Sequence, residues 1–245
     1  MKLLCNPSQK DQFIEDINSF LPSDIRALTM TRVSKGFNAK QNCTKRRYHY
    51  LIPTYTLLPA SEMNAILKAQ FDIQGPVVNA GRQGGYVEEN TKRSLAHAGL
   101  NEVYHQVKGH RSTPESIAAL RSALKSYEGT RAYHNFTTGK HPDDANAKRF
   151  IISFDCAEPF VDEATGVEWV LLTVLGQSFL LNQIRKMVGM AVEVARGAAT
   201  QSNIVDAFTS RKVRFYLYVL QEFVPYVSVF QELNCCFPYH SDFRL

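Results

Sequence analysis

With 245 residues, 44% of them apolar and 21% charged, the chain can fill one large or two small globular domains; disordered and fibrous classes are excluded. Its net charge of +5 is unevenly spread, because Arg26, Arg32, Lys35, Lys40, Lys45, Arg46 and Arg47 lie between Ile25 and Ser61 without a single acid. The five cysteines (Cys5, Cys43, Cys156, Cys235 and Cys236) form no Cys-x-x-Cys and no zinc spacing, which points to reduced thiols, an intracellular protein and no structural metal.

Asn6-Pro7 reads as a helix start, and Phe13, Ile14, Ile17, Phe20 and Leu21 recur at helical spacing until Pro22 closes the element. Ile25 to Val33 suits a strand, and Lys35-Gly36 suits a turn. The segment Lys45 to Ile52 then alternates, with Tyr48, Tyr50 and Ile52 on one face and Arg47, His49 and Leu51 on the other. Basic residues interleaved with Phe37, Tyr48 and Tyr50 are the footprint of a phosphate-binding surface.

Ser61 to Phe71 is predicted helical. From Asp72 to Thr113, glycines at 75, 81, 84, 85 and 99 predict an irregular insertion, and Gly84-Gly85 lacks phosphate-loop spacing. Thr113-Pro114 caps a helix whose buried stripe is Ile117, Leu120 and Leu124. Phe150 to Phe154 and Trp169 to Leu175 are strands joined across Glu163-Ala-Thr-Gly166. A helix is expected over 180–196, ending at a Gly197 cap. The spacing places Leu181, Arg185, Val188 and Val192 on one face, so an arginine that cannot lose its proton sits on an oily side and needs an anion or a polar cleft. The acids Asp155, Glu158, Asp162 and Glu163 read as a solvated edge.

The most apolar window, Val213 to Phe230, is broken by Gln221, Glu222 and Pro225 and is no membrane span. It is a candidate aggregation segment. Strands and helices in this irregular order, with antiparallel hairpins, predict an α+β fold with a mostly antiparallel sheet and helices on one face.

Four segments, Phe37-Asn-Ala-Lys40, Arg46-Arg-Tyr48-His-Tyr50, Tyr127-Glu-Gly-Thr130 with His134-Asn-Phe-Thr137, and Gly176 to Gly189, together resemble the tRNA pseudouridine synthases, the branch typified by bacterial TruA. Leu51-Ile-Pro-Thr54 and Gln183-Ile-Arg-Lys-Met-Val-Gly189 match its eukaryotic form. The resemblance implies a sheet shared by two ferredoxin-like halves with the active cleft between them, a tRNA or other structured RNA as partner, and no cofactor. It implies that Tyr48 stacks on a flipped uracil, that Arg185 pairs with the nucleophilic aspartate, and that Lys35, Lys40, Arg46 and Arg47 contact phosphates. In the family that aspartate follows Arg-Thr, and no Arg-Thr-Asp occurs here.

The expected organisation is therefore a remnant of the first half over 1–41, the second half over 42–212, and a divergent tail over 213–245. Much of the first ferredoxin-like half and the nucleophile would be missing, leaving a sheet edge open to self-association. On that reading the chain is inactive alone, the alternative being a tRNA-binding pseudoenzyme. For a eukaryotic member, the nucleus or mitochondrion is the expected compartment. His134 is taken as structural, since His-Asn-Phe in relatives stands where this chain has Arg131-Ala132-Tyr133.

Overall fold

The computed structural model describes residues 7–38, 41–71, 101–209 and 229–234. The chain divides into two compact units, Met1–Asn42 and Cys43–Leu245.

In the first unit, a 3-10 turn over Pro7–Gln9 leads into α1 (Lys10–Phe20), whose apolar side chains are not buried. Phe20, Ile25 and Leu28 are exposed. The strand expected over Ile25 to Val33 does not form. The Asn18 amide takes both backbone groups of Ala27, accepting from its N–H at 2.7 Å and donating to its carbonyl at 2.9 Å. A side chain thus supplies at Ala27 what a neighbouring strand would supply along a ladder.

The second unit is built on a sheet of β1 (Lys45–Pro53), β2 (Gly129–Ala132), β3 (Lys148–Cys156), β4 (Phe160–Val161), β5 (Glu168–Gly176) and β6 (Val229–Asn234). The order is β2-β3-β5-β1-β6, with β4 alongside one end of β5. All pairings are antiparallel. β6 arises inside the stretch expected to be a divergent tail, and it makes β1 an interior strand; the rest of 210–245 lies outside the described residues.

Strict alternation along β5 buries Val170, Leu172 and Val174, and their partners on β1 are Ile52, Tyr50 and Tyr48. Against this face pack α4 (Pro114–Lys125) and α5 (Gln183–Ala195), followed by α6 (Gln201–Asp206). The α4 stripe is the expected one, with Ile117, Leu120, Ala123 and Leu124 all buried. Its start is a capping box in which Thr113 and Ser116 each hydrogen-bond the other's backbone N–H.

Tyr127, Tyr133, Phe136 and Phe208 form an edge-to-face aromatic knot beside Phe154, with Tyr127, Tyr133 and Phe136 fully buried. The second helix, α2 (Ala60–Phe71), packs in a smaller cluster with Tyr55, Leu58, Val103, Val107 and Val167. There the sequence expectation is corrected: residues 101–107 form a helix, α3, because Val103 and Val107 one turn apart bury against Met63. The remainder of the expected insertion, including Gly84-Gly85, lies outside the described residues.

Candidate functional site

The face of β1 that carries Tyr48 and Tyr50 also carries Arg46, and Arg46 pairs in register with Gly176 at the end of β5. Gly176 is enclosed: an added Cβ would stand 2.8 Å from Phe179 Cζ, 3.0 Å from the Phe150 carbonyl and 3.2 Å from Ile151 Cδ1. This close approach lets the chain turn directly from β5 into the segment that precedes α5. There Arg46 Nη1 donates to the Gln177 carbonyl at 2.7 Å. The Phe179 ring meets Tyr48 edge-on, with centroids 5.2 Å apart and planes at 89°. Tyr48 is half-buried, and the loss of water around its hydroxyl raises its pKa while Arg46 pulls it back.

The helix then begins later than its periodicity predicts. Asn182 adopts φ +59°, a left-handed turn, and the Gln183 side chain accepts from the Leu180 N–H at 2.8 Å. Leu181 is thereby left outside the helix and is 72% exposed, whereas Val188 and Val192 are buried. Arg185, in the first turn, is exposed and not lodged against hydrocarbon as the face assignment requires. Its guanidinium reaches the hydroxyl of Tyr50, a core residue whose pKa is raised by desolvation and drawn back by the charge and hydrogen bond of Arg185.

The opening turn of α5 holds no acid and two cations, against the preference of a helix N-terminus for negative charge. Lys186 settles its share by donating to the Thr137 carbonyl at 2.8 Å, and burial lowers its pKa. Thr137 Oγ1 donates in turn to the Leu181 carbonyl at 2.9 Å, so the 134–137 segment clamps the helix start. His134 and Asn135 within it are buried, and Asn135 Nδ2 donates to the Ala207 carbonyl at 2.9 Å. His134 meets the Asn135 side-chain amide at 2.9 Å, and its Nδ1 is buried without a hydrogen-bond partner among the described residues. The far end of α5 closes as predicted on Gly197 at φ +76°, with the Gly197 and Ala198 N–H groups donating to Val194 and Glu193 carbonyls.

The six sequence-predicted site residues do not all gather. Arg46, Tyr48 and Arg185 share one face of the sheet. Arg47 lies on the opposite face with His49, whose Nδ1 is 3.1 Å from Thr173 Oγ1 across the strand pair. Lys35 is exposed in the first unit, and Lys40 lies outside the described residues. The acids Asp155, Glu158 and Glu163 are exposed and Asp162 is half-buried; Asp155 pairs with Lys125 and Glu158 with Arg121. Among the described residues, Arg185 has no carboxylate partner. Sequence reasoning missed Tyr50 as the seat of Arg185; its place on the Tyr48 face was the available signal.

Comparison with known proteins finds relatives of this sequence. The family described as tRNA pseudouridine synthase matches residues 123–224, from the end of α4 past α6. The chain is 35% identical over 203 residues to the human pseudouridylate synthase 1 homolog, covering 83% of this chain and 38% of that protein. It is 33% identical over 233 residues to tRNA pseudouridine synthase 1 of Kluyveromyces lactis, covering 81% and 42% of the two chains. The Saccharomyces cerevisiae protein of the same name is 30% identical over 234 residues, covering 81% and 43%. The chain thus spans about two fifths of the length of these curated relatives. With the antiparallel α+β sheet, these matches make the chain similar to the tRNA pseudouridine synthases over most of its length.

Proposed function

We propose that this chain binds tRNA and presents a flipped uridine to the face shared by Arg46, Tyr48 and Arg185, serving the isomerisation of uridine to pseudouridine. The observations that support the reading are a half-buried tyrosine and a strand arginine beside Gly176, and an exposed first-turn arginine acting on Tyr50 of the same strand face. The reaction is redox-neutral: the bond from N1 of uracil to C1′ breaks, a bond from C5 to C1′ forms, and the C5 proton leaves as N1 gains one. Extruding the base costs a few kcal/mol, and stacking on Tyr48 returns on the order of 1–3 kcal/mol. Arg185 would hold a nucleophilic carboxylate ionised by opposite-charge proximity. Tyr48 would receive the C5 proton or position the group that does.

The 245 residues contain no Arg-Thr-Asp stretch, and we expect them to hold tRNA without forming pseudouridine by themselves. The second reading, a binding protein without chemistry, is favoured by the lack of a carboxylate partner for Arg185 among the described residues. Pseudouridine formation and filter binding on an unmodified tRNA transcript separate the two. Salt-sensitive binding without product supports binding alone. Product that disappears in Y48F and R185Q supports the catalytic assignment, and product surviving both substitutions overturns it. A chain that does not bind tRNA defeats both readings.

A further inference from the structure

Arg131 on β2 and Arg149 on β3 stand directly opposite each other in the sheet. Alternation from the buried Ile151 puts both on the face that carries Tyr48. Like charges opposed in a ladder are destabilising, and neither guanidinium has an acidic partner among the described residues. Other contacts hold them there. Arg131 lies over the Phe208 ring with its guanidinium carbon 5.1 Å from the centroid. Arg149 Nη1 donates to the Asn146 carbonyl at 2.6 Å and the Lys148 carbonyl at 2.7 Å, while its Nε is buried without a partner. Two fixed cations side by side, with donors left over, are complementary to an oxyanion.

Their position narrows which oxyanion. Ile151 pairs with Gly176, and Gly176 pairs on its other side with Arg46. The two arginines therefore continue the Arg46 end of the sheet, two and three strands across, at roughly 10–15 Å by ordinary strand spacing. We propose that Arg131 and Arg149 together grip a backbone phosphate of the same RNA whose uridine lies at Tyr48, extending the contact surface beyond the region read from the basic run. This rests on the RNA-binding reading of Arg46 and Tyr48. The pair fixes the path of the strand and carries no base preference.

Binding of an unmodified tRNA transcript to the full chain, measured over a salt series, tests it. Each phosphate contact contributes about 0.7–0.9 to the slope of log affinity against log salt. R131Q and R149Q should each flatten the slope by about that much and weaken low-salt binding by about 3–10-fold, whereas R131K keeps the slope. K125Q serves as the reference, because Lys125 is engaged with Glu128 and Asp155. If R149Q fails to fold, R131Q decides alone. Slopes for R131Q and R149Q equal to that of K125Q overturn the grip. When R46Q flattens the slope in the same experiment, only the grip falls; when R46Q is also silent, the RNA-binding reading falls with it.

Discussion

Arg185, exposed in the first turn of α5, lies close enough to the buried Tyr50 for its charge and hydrogen bonding to oppose the desolvation that raises the phenol's pKa. Tyr48 projects from the same strand face two residues earlier, roughly 7 Å along the strand. The arrangement makes Tyr50 a positioning residue: it limits where the long, rotamer-rich arginine side chain can place its charge. Removing Arg185 removes the influences that lower the Tyr50 pKa and leaves desolvation unopposed. R185Q is therefore expected to move the Tyr50 titration further upward, read by NMR of ring-labelled tyrosine with Y50F to assign the signal. An unchanged or lower Tyr50 pKa in R185Q contradicts the contact.

Gly176 should tolerate no side chain. The three neighbours crowding its Cβ position include a backbone carbonyl that cannot rotate away, and the aromatic one, Phe179, also braces Tyr48. Replacement by alanine is expected to cost about 1–3 kcal/mol in denaturant unfolding, as overpacking does. It should also weaken tRNA binding in the fraction that remains folded. Wild-type stability in G176A argues against the crowding described.

Arg46 and Arg47 are adjacent in sequence and opposed in space. Charge reversal at Arg46 is expected to weaken tRNA binding about tenfold or more at low salt, and the same change at Arg47 to do markedly less. Equal losses from R46E and R47E would place the RNA on both faces of the sheet and refute the one-sided surface.

The link between α4 and β3 should be acid-sensitive. Lys125 hydrogen-bonds Asp155 at 2.8 Å, and that contact lowers the Asp155 pKa. A carboxyl whose folded pKa is depressed adds stability above its unfolded pKa, and this is lost as pH falls through the folded value. D155N should therefore show a flatter stability profile than the parent as pH drops below about 4, in thermal melts at matched ionic strength. The difference will be small, because both groups are half-exposed and surface pairs are weak. Parallel profiles for D155N and the parent would sink the assignment.

What could be read from the sequence was what local chemistry determines. The capping box at Thr113 and the Ile117, Leu120 and Leu124 spacing defined α4, because a helix end and its buried stripe are settled within four or five residues. Alternation defined β1 and β5 for the same reason. The Arg185 environment was not legible in this way. A left-handed Asn182 delays the helix by three residues and leaves Leu181 and Arg185 exposed while Gln183 and Ile184 are buried, a choice reinforced by Gln183 and by Thr137, over forty residues distant in the chain. Ile25 to Val33 has strand composition but meets a side-chain amide at Ala27, and β6 was hidden because its identity comes from β1 and not from its own pattern.

That last pairing has a consequence during synthesis. Lys45–Pro53 leaves the ribosome long before either of its neighbours, Glu168–Gly176 and Val229–Asn234, has been translated. The edge that pairs with Glu168–Gly176 stays open until that strand is made, and the edge that pairs with Val229–Asn234 stays open longer, solvated or chaperoned. The tyrosine and arginine on this strand are thus made well before the strands that fix their geometry.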